Sequence, residues 1–205
     1  MRRVRIFEHI SLDGIIQSPG GRKEDADDGY PYGGWSAPFS SPETGQAIVA
    51  AHGKGYDLLL GRRTYDIWSA YWPTAGRNPI ADGFNAATKY VATHRAEDLA
   101  WGPAEALGPD IVADLRGLKA KDGPELILWG SSTLTPVLLE HGLADEIMLI
   151  VYPVLLGAGK RLFADGTPPV TLALKSSNPA ASGVVINTYA QAGPLRTGEA
   201  DENRQ

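Results

Sequence analysis

The 205 residues suffice for one domain or two small ones, and 43% hydrophobic with 21% charged residues is the balance of a globular chain with a core to bury. A net charge of -5 lacks the basic surplus of a general nucleic-acid binder. The chain has no cysteine, which excludes disulfide frameworks, thiolate metal sites and cysteine nucleophiles.

Met1-Arg2-Arg3 leads straight into a strand-like segment without a signal-type apolar region. The longest apolar run, residues 147–156, contains Pro153 and is about half the ~20 residues a membrane helix needs. A cytoplasmic chain with no membrane and no nucleic-acid partner is expected. Residues 4–10 are β-rich and predict a first strand, closed by the turn-like Ser11-Leu12-Asp13-Gly14. Residues 18–34, rich in glycine and charge, predict a long loop, either a lid or a solvated excursion. Helical spacing follows at 42–52, then a short buried strand at 56–60 between two glycines. Helices are predicted over 62–72, stopped by Pro73, and over 78–87. A strand at 89–93 precedes a helix over 110–121, a strand at 125–129 and a helix over 133–141 that ends at Gly142. A long strand at 146–155 and an antiparallel pair at 170–176 and 184–189 complete the domain, residues 1–190. Residues 191–205 read as a polar, disordered tail.

Alternating strands and helices predict a three-layer α/β fold. Its sheet is mostly parallel, with helices on both faces and an antiparallel C-terminal edge.

Familiar motifs fail on inspection. Gly157-Ala158-Gly159-Lys160 resembles the end of a phosphate-binding P-loop, but Val154 stands at the first glycine and Arg161 at the magnesium-binding hydroxyl. Leu162 stands at the third glycine of a dinucleotide fingerprint. His9, His52, His94 and His141 show no metal-ligand spacing, so no metal is expected.

Three strand-to-helix junctions remain. Gly61-Arg62-Arg63-Thr64 puts cations at a helix N-terminus, where free N–H groups already favour an anion. Trp129-Gly130-Ser131-Ser132-Thr133-Leu134 offers a glycine for close approach and hydroxyls that can cap a helix or bind phosphate oxygens. Thr93-His94-Arg95 ends a strand, where open α/β sheets bind ligands. Each alone is equally a capped helix or a charged turn. Together, at one sheet edge, they point to a ligand with several phosphates, such as a dinucleotide.

Ser11-Leu12-Asp13-Gly14, Gly61-Arg62-Arg63-Thr64-Tyr65 and Trp129-Gly130-Ser131 resemble motifs of the dihydrofolate-reductase-like superfamily. So do Gly142-Leu143-Ala144-Asp145-Glu146 and the segment from Pro153 to Phe163. Over residues 3–190 the chain resembles the C-terminal reductase domain of the bifunctional deaminase/reductase of riboflavin biosynthesis, and its stand-alone bacterial relatives. The resemblance implies a sheet of about eight strands and an NADPH-dependent reductase. By that resemblance Gly61, Arg62 and Thr64 hold the cofactor's phosphates, and Thr93, His94 and Arg95 lie at the adenosine 2'-phosphate end. Gly130, Ser131, Ser132 and Leu134 line the pyrophosphate, and the Trp129–Gly130 bond is cis.

The reading that follows is hydride transfer from NADPH to a small heterocyclic or carbonyl-type substrate. Asp13, Gly14 and Ile15 hold the nicotinamide, and Trp35 and Tyr152 face the substrate. Asp13, or secondarily Glu43, orients substrate or proton, unless Asp13 only forms its turn. A homodimer built from the C-terminal strands is expected, residues 147–156 offering apolar surface for it. The alternatives are a nucleotide-binding protein without catalysis and a flavin-using oxidoreductase.

Overall fold

The computed structural model describes residues 1–163 and 165–198. Its strands are β1 (Val4–Ser11), β2 (Tyr56–Gly61), β3 (Lys89–Ala92), β4 (Ala104–Leu107), β5 (Glu125–Trp129), β6 (Glu146–Tyr152), β7 (Val170–Pro179) and β8 (Val185–Pro194). Its α-helices are α1 (Pro42–His52), α2 (Arg62–Tyr71), α3 (Pro79–Ala86), α4 (Ile111–Ala120) and α5 (Leu134–Glu140). The eight strands form one sheet in the order β4-β3-β2-β5-β1-β6-β8-β7. Every pair from β4 to β6 is parallel, whereas β8 and β7 add antiparallel. This is the expected three-layer architecture with its antiparallel C-terminal edge.

Strand alternation distributes β1 between two cores. Val4, Ile6 and Ile10 join Leu126, Leu128 and the apolar faces of α4 and α5. Phe7 turns the other way, into a cluster with Trp129, Trp35 and Tyr152 that also takes the inner faces of α1, α2 and α3. The helices begin where side chains satisfy their first amides. Ser41 Oγ accepts from Thr44 N, and Asn78 Oδ1 accepts from Ile80 N and Ala81 N. Asp110 Oδ1 accepts from Ala113 N. Pro42 and Pro79 sit in first turns, where a missing N–H costs nothing.

Beyond shifts of one residue at several ends, four elements differ from expectation: β4, β6, β8, and β7, which runs to Pro179 rather than 176. β4 is absent from the sequence reading because Ala104-Glu105-Ala106-Leu107 has no β-branched or aromatic residue and no alternation. It forms through backbone pairing, with Lys89 to Ala92 of β3 opposite Ala104 to Leu107, and through burial of Leu107 in the core. β6 stops at Tyr152, three residues short, because Pro153 has no N–H for the ladder. β8 runs through Pro194 rather than ending at 189, so residues 191–194 belong to the sheet and not to a tail. Small and polar side chains hid them, yet Gln191 pairs with Leu172. Of the rest of the expected tail, residues 195–198 are exposed and outside regular structure, and residues 199–205 lie outside the described residues.

Two arginines of the first strand region are buried, which is tolerable only for paired charges. Arg2 forms an ion pair with Asp57, donates to Pro124 O at 2.6 Å and reaches Tyr90 Oη at 3.2 Å. Arg5 pairs with Glu125 and donates to Ala51 O and His52 O at 2.6 and 2.9 Å. A cation thus closes the C-terminus of α1, where the helix dipole favours it. Asp57 also accepts from Thr88 N at 3.1 Å. Asp57→Ala therefore leaves Arg2 charged and buried without its counter-ion. We expect it to cost about 3–5 kcal/mol, read as a lower urea midpoint; a loss below 1 kcal/mol would mean the pair is dispensable.

Candidate functional site

The parallel strands end on one side, and there the first two junctions interlock. Gly61 closes β2 and opens α2. A Cβ on it would lie 2.7 Å from Ser131 Oγ, so glycine lets the two junctions come this close without pushing that hydroxyl aside. Gly130 turns the chain at φ 63°. Thr64, buried in the first turn of α2, donates to Gly130 O at 2.9 Å. Ser131 is buried and accepts from Leu134 N at 3.3 Å, so it caps α5, with Ser132 half-buried beside it.

The first and third junctions meet in a cavity of about 310 Å³, walled by Arg62, Thr93, His94, Arg95 and Leu134 and by Leu107 at the end of β4. Arg62 Nη1 donates to Arg95 O at 2.9 Å and lies 3.4 Å from Thr93 Oγ1. Its Nε donates to Asp66 at 2.8 Å, and Asp98 stands 3.7 Å away. Thr93 Oγ1 accepts from Arg95 N at 3.0 Å, which fixes the turn. The cavity therefore carries two guanidinium groups held in place by backbone and carboxylate partners. His94 and Arg95 are exposed at its mouth.

Near the ends of β1 and β6 the expected residues have separate tasks. Asp13 accepts from Ser11 Oγ at 2.6 Å, from Gly157 N at 2.7 Å and from Leu156 N at 3.2 Å. The Ser11 bond leads in holding it down at about 2, with the Gly157 and Leu156 amides adding to it. The carboxylate is thus ionised and occupied in tying its turn to residues 156–157. Gly14 bends at φ 86°, and Ile15 is fully buried in an isolated bridge to Arg161. Glu43 is exposed on the first turn of α1 and held low by its own amide and by Ser41. Trp35 and Tyr152 do come together: their rings meet edge to face at 5.3 Å, both buried.

The expected cis bond at Trp129–Gly130 is corrected. Gly102–Pro103 is the cis peptide among the described residues, and Trp129–Gly130 is trans. Its N–H side is held by Glu8, which accepts from Gly130 N at 2.7 Å, and the following peptide is held by Thr64 at Gly130 O. The Trp129 side chain points into the aromatic core, donating to His52 Nε2 at 2.8 Å.

Sequence reading missed Glu8, His9 and His52. Two adjacent polar residues inside an apolar strand, Glu8-His9, were the available signal. His9 Nδ1 lies 2.8 Å from Tyr152 Oη, and its ring stacks on Trp129 at 5.3 Å. The 18–34 loop is also pinned rather than loose. Lys160 Nζ reaches Asp25 at 2.7 Å and Asp27 at 2.8 Å, while Arg63 donates to Asp25 at 2.8 Å. Arg63 therefore serves the loop, not the cavity. Burial pushes Asp25 up, but its bonds to Lys160 and Arg63 outweigh this and hold it low. Trp35 Nε1 donates to Gln17 O at 2.8 Å, so the same loop carries Trp35 over Tyr152.

Burial lifts Glu8 to about 8, against the pull of the Gly130 and His9 amides. The unfolded chain ionises near the ordinary carboxylate value while the folded chain keeps the proton, so Glu8 makes stability fall as pH rises from about 5 to 8. His9 and His52, pushed down by burial to about 4 and about 3, work the other way. Both histidines remain in a Glu8→Gln variant, so their effect cancels in a comparison. Melting temperatures at pH 5 and pH 8.5 should show wild type losing ground to Glu8→Gln at the higher pH. A difference independent of pH would mean that Glu8 is already ionised in the fold.

Among the described residues no helix is long and apolar enough to cross a membrane, and no cluster of three or more His, Asp or Glu could hold a metal ion. The model of the RibD C-terminal domain family matches residues 2–186. The protein YyaP of Bacillus subtilis (strain 168), itself uncharacterised, is 28% identical over 137 residues, covering 64% of this chain and 72% of YyaP. A provisionally assigned riboflavin biosynthesis protein from Shewanella sp. PV-4 shares the fold at TM-score 0.68 and 22% identity, over 92% of this chain and 98% of that one. Dihydrofolate reductase from Enterococcus faecalis, complexed with NADP(H) and RAB-propyl, does so at TM-score 0.58 and 13% identity, over 93% of this chain and 96% of that one. The interlocked junctions, the eight-stranded sheet and a match spanning nearly the whole domain converge on one assignment: the chain belongs to the RibD C-terminal domain family, a reductase-like family.

Proposed function

We propose that this protein is an NADPH-dependent reductase of a small heterocyclic or carbonyl-type substrate. The observation that carries the proposal is the cavity where Arg62, Thr93, His94 and Arg95 converge at the C-terminal edge of the parallel sheet. Two guanidinium groups, a hydroxyl and an imidazole suit a phosphate monoester, as at the adenosine 2'-phosphate that distinguishes NADPH from NADH. The glycine cradle fits the same ligand, because side chains at Gly61 or Gly130 would fill the approach beside Ser131 and Thr64. Family membership and the likeness to a reductase complexed with NADP(H) support it further.

In this reading Arg62 and the Thr93 to Arg95 turn hold the 2'-phosphate end. Gly61, Thr64, Gly130, Ser131 and Ser132 border the pyrophosphate, with Leu134 beneath the adenosine side. Gly14 and Ile15 support the reacting ring, which when bound supplies a hydride. Trp35 and Tyr152 wall the substrate pocket and exclude water from it. Asp13 holds the turn that carries Gly14, and Glu43 has no part in the chemistry. The alternative is binding of a nucleotide without turnover. NADPH oxidation with dihydrofolate, an aminopyrimidine riboside and cyclic ketones separates the two.

Of the apolar run 147–156, Leu155 is exposed, but β6 itself offers no spare surface. β6 lies between β1 and β8, and Ile147, Met148, Leu149, Ile150 and Tyr152 are buried within one chain. A homodimer would instead use the outer strand β7, which exposes Leu174. Sedimentation should give twice the chain mass at micromolar concentration; a monomer there removes the dimer from the proposal.

Calorimetric titration tests the cofactor. NADPH should bind more tightly than NADH, and Arg62→Ala should weaken NADPH by about 1.5–3 kcal/mol, the worth of a charge-assisted hydrogen bond. Equal affinity of mutant and wild type would take Arg62 out of the site.

A further inference from the structure

Along the sheet edge, β1 follows β5 and β6 follows β1. The two strands next to the Gly130 junction thus end beside each other, with His9 and Tyr152 near those ends. Their side chains share the face covered by α1 and by the segment carrying Trp35 and Phe39. His9 is held from two sides. Its Nδ1 is 2.8 Å from Tyr152 Oη, and its ring stacks on Trp129 at an interplanar angle of 28°. Trp129 is fixed in turn by its bond to His52. His9 is nevertheless part-exposed, and its Nε2 takes no hydrogen bond among the described residues. The result is a locked imidazole with one nitrogen spoken for and the other open, beside the Tyr152 ring on which Trp35 and Phe39 pack.

We propose that His9 donates, from Nε2, the proton that completes reduction of a carbonyl or imine, and that Tyr152 is the positioning residue that fixes its tautomer. The inference rests on the reductase reading above. A Tyr152 hydroxyl donating to Nδ1 leaves the imidazole hydrogen on Nε2. Burial lowers His9 to about 4 and raises Tyr152 to about 12, so the resting pair is neutral. The step balances. The substrate carbon accepts a hydride with its electron pair from the reduced nicotinamide, which is oxidised. The C=O or C=N π electrons move to the heteroatom, which takes the Nε2 proton. The Tyr152 proton passes to Nδ1 as Nε2 loses its own; when solvent returns a proton to the open Nε2, the Nδ1 proton goes back to Tyr152 and the resting pair is restored.

Two measurements test this. Nitrogen–proton NMR of imidazole-labelled protein, without ligand, should show His9 as a single neutral Nε2–H tautomer, and Tyr152→Phe should give a mixture. A Nδ1–H tautomer in wild type would overturn the proposal. Turnover is then followed with NADPH and the substrate panel named above. His9→Gln should lose kcat by about 100-fold or more, the usual share of general acid catalysis, with KM for NADPH unchanged. Tyr152→Phe should lose about tenfold. Full turnover in a folded His9→Gln beside an active wild type would sink this inference alone. An inactive wild type that still binds NADPH would sink the reductase reading, and this inference with it.

Discussion

The junctions after β2 and β5 pack so closely that a side chain at Gly61 would have to push the Ser131 hydroxyl aside. A methyl group at Gly61 would stand 2.7 Å from Ser131 Oγ, well inside van der Waals contact. That approach brings Thr64 against Gly130, and Thr64 in turn holds the peptide on which α5 is hung. The same junction sets the start of α2 and so the position of Arg62, whose guanidinium reaches across to the β3 turn. The cavity therefore depends both on this strand junction, which places Arg62 and Leu134, and on the turn after β3 that carries Thr93, His94 and Arg95.

The opposite face follows a different rule. There the sheet is covered by rings: Trp129 contacts Phe7, His9, His52, Trp68 and Phe84. Two imidazoles lie against one indole, each without charge because burial disfavours the cation. The polar tips are matched among themselves, Trp129 to His52 and His9 to Tyr152. In the same core Trp72 Nε1 and Tyr30 Oη are buried without a hydrogen-bond partner, so the matching is confined to the rings around Trp129.

Much of this was legible beforehand. Strong periodicity and glycine punctuation marked α1 over its full length and β5 to the residue, and the three junctions were recognisable by composition. What escaped was whatever depends on pairing rather than pattern. β4 has no apolar alternation and exists because β3 offers it a ladder. The roles of Glu8 and His9 are set by Gly130 and Tyr152, more than a hundred residues away. Asp25 and Asp27 look like loop charges until Lys160 and Arg63 are brought beside them. Asp13 was legible as a turn residue, but only the fold reveals that its carboxylate is already taken by residues 156–157.

The sheet order also has a bearing on how the chain reaches its fold. β1 is an inner strand, yet both of its neighbours are made late: Val4 pairs with Leu126 and Arg5 with Glu146. During synthesis the first strand must wait, unpaired and apolar, until more than a hundred further residues have emerged. β2, β3 and β4 are close in sequence and can associate first. The waiting segment carries Arg2, Arg3 and Arg5, whose charges oppose strand-to-strand association between nascent chains. Two of these arginines later become the buried partners of Asp57 and Glu125. The same cations thus keep the strand apart while it is alone and fasten it once its neighbours arrive.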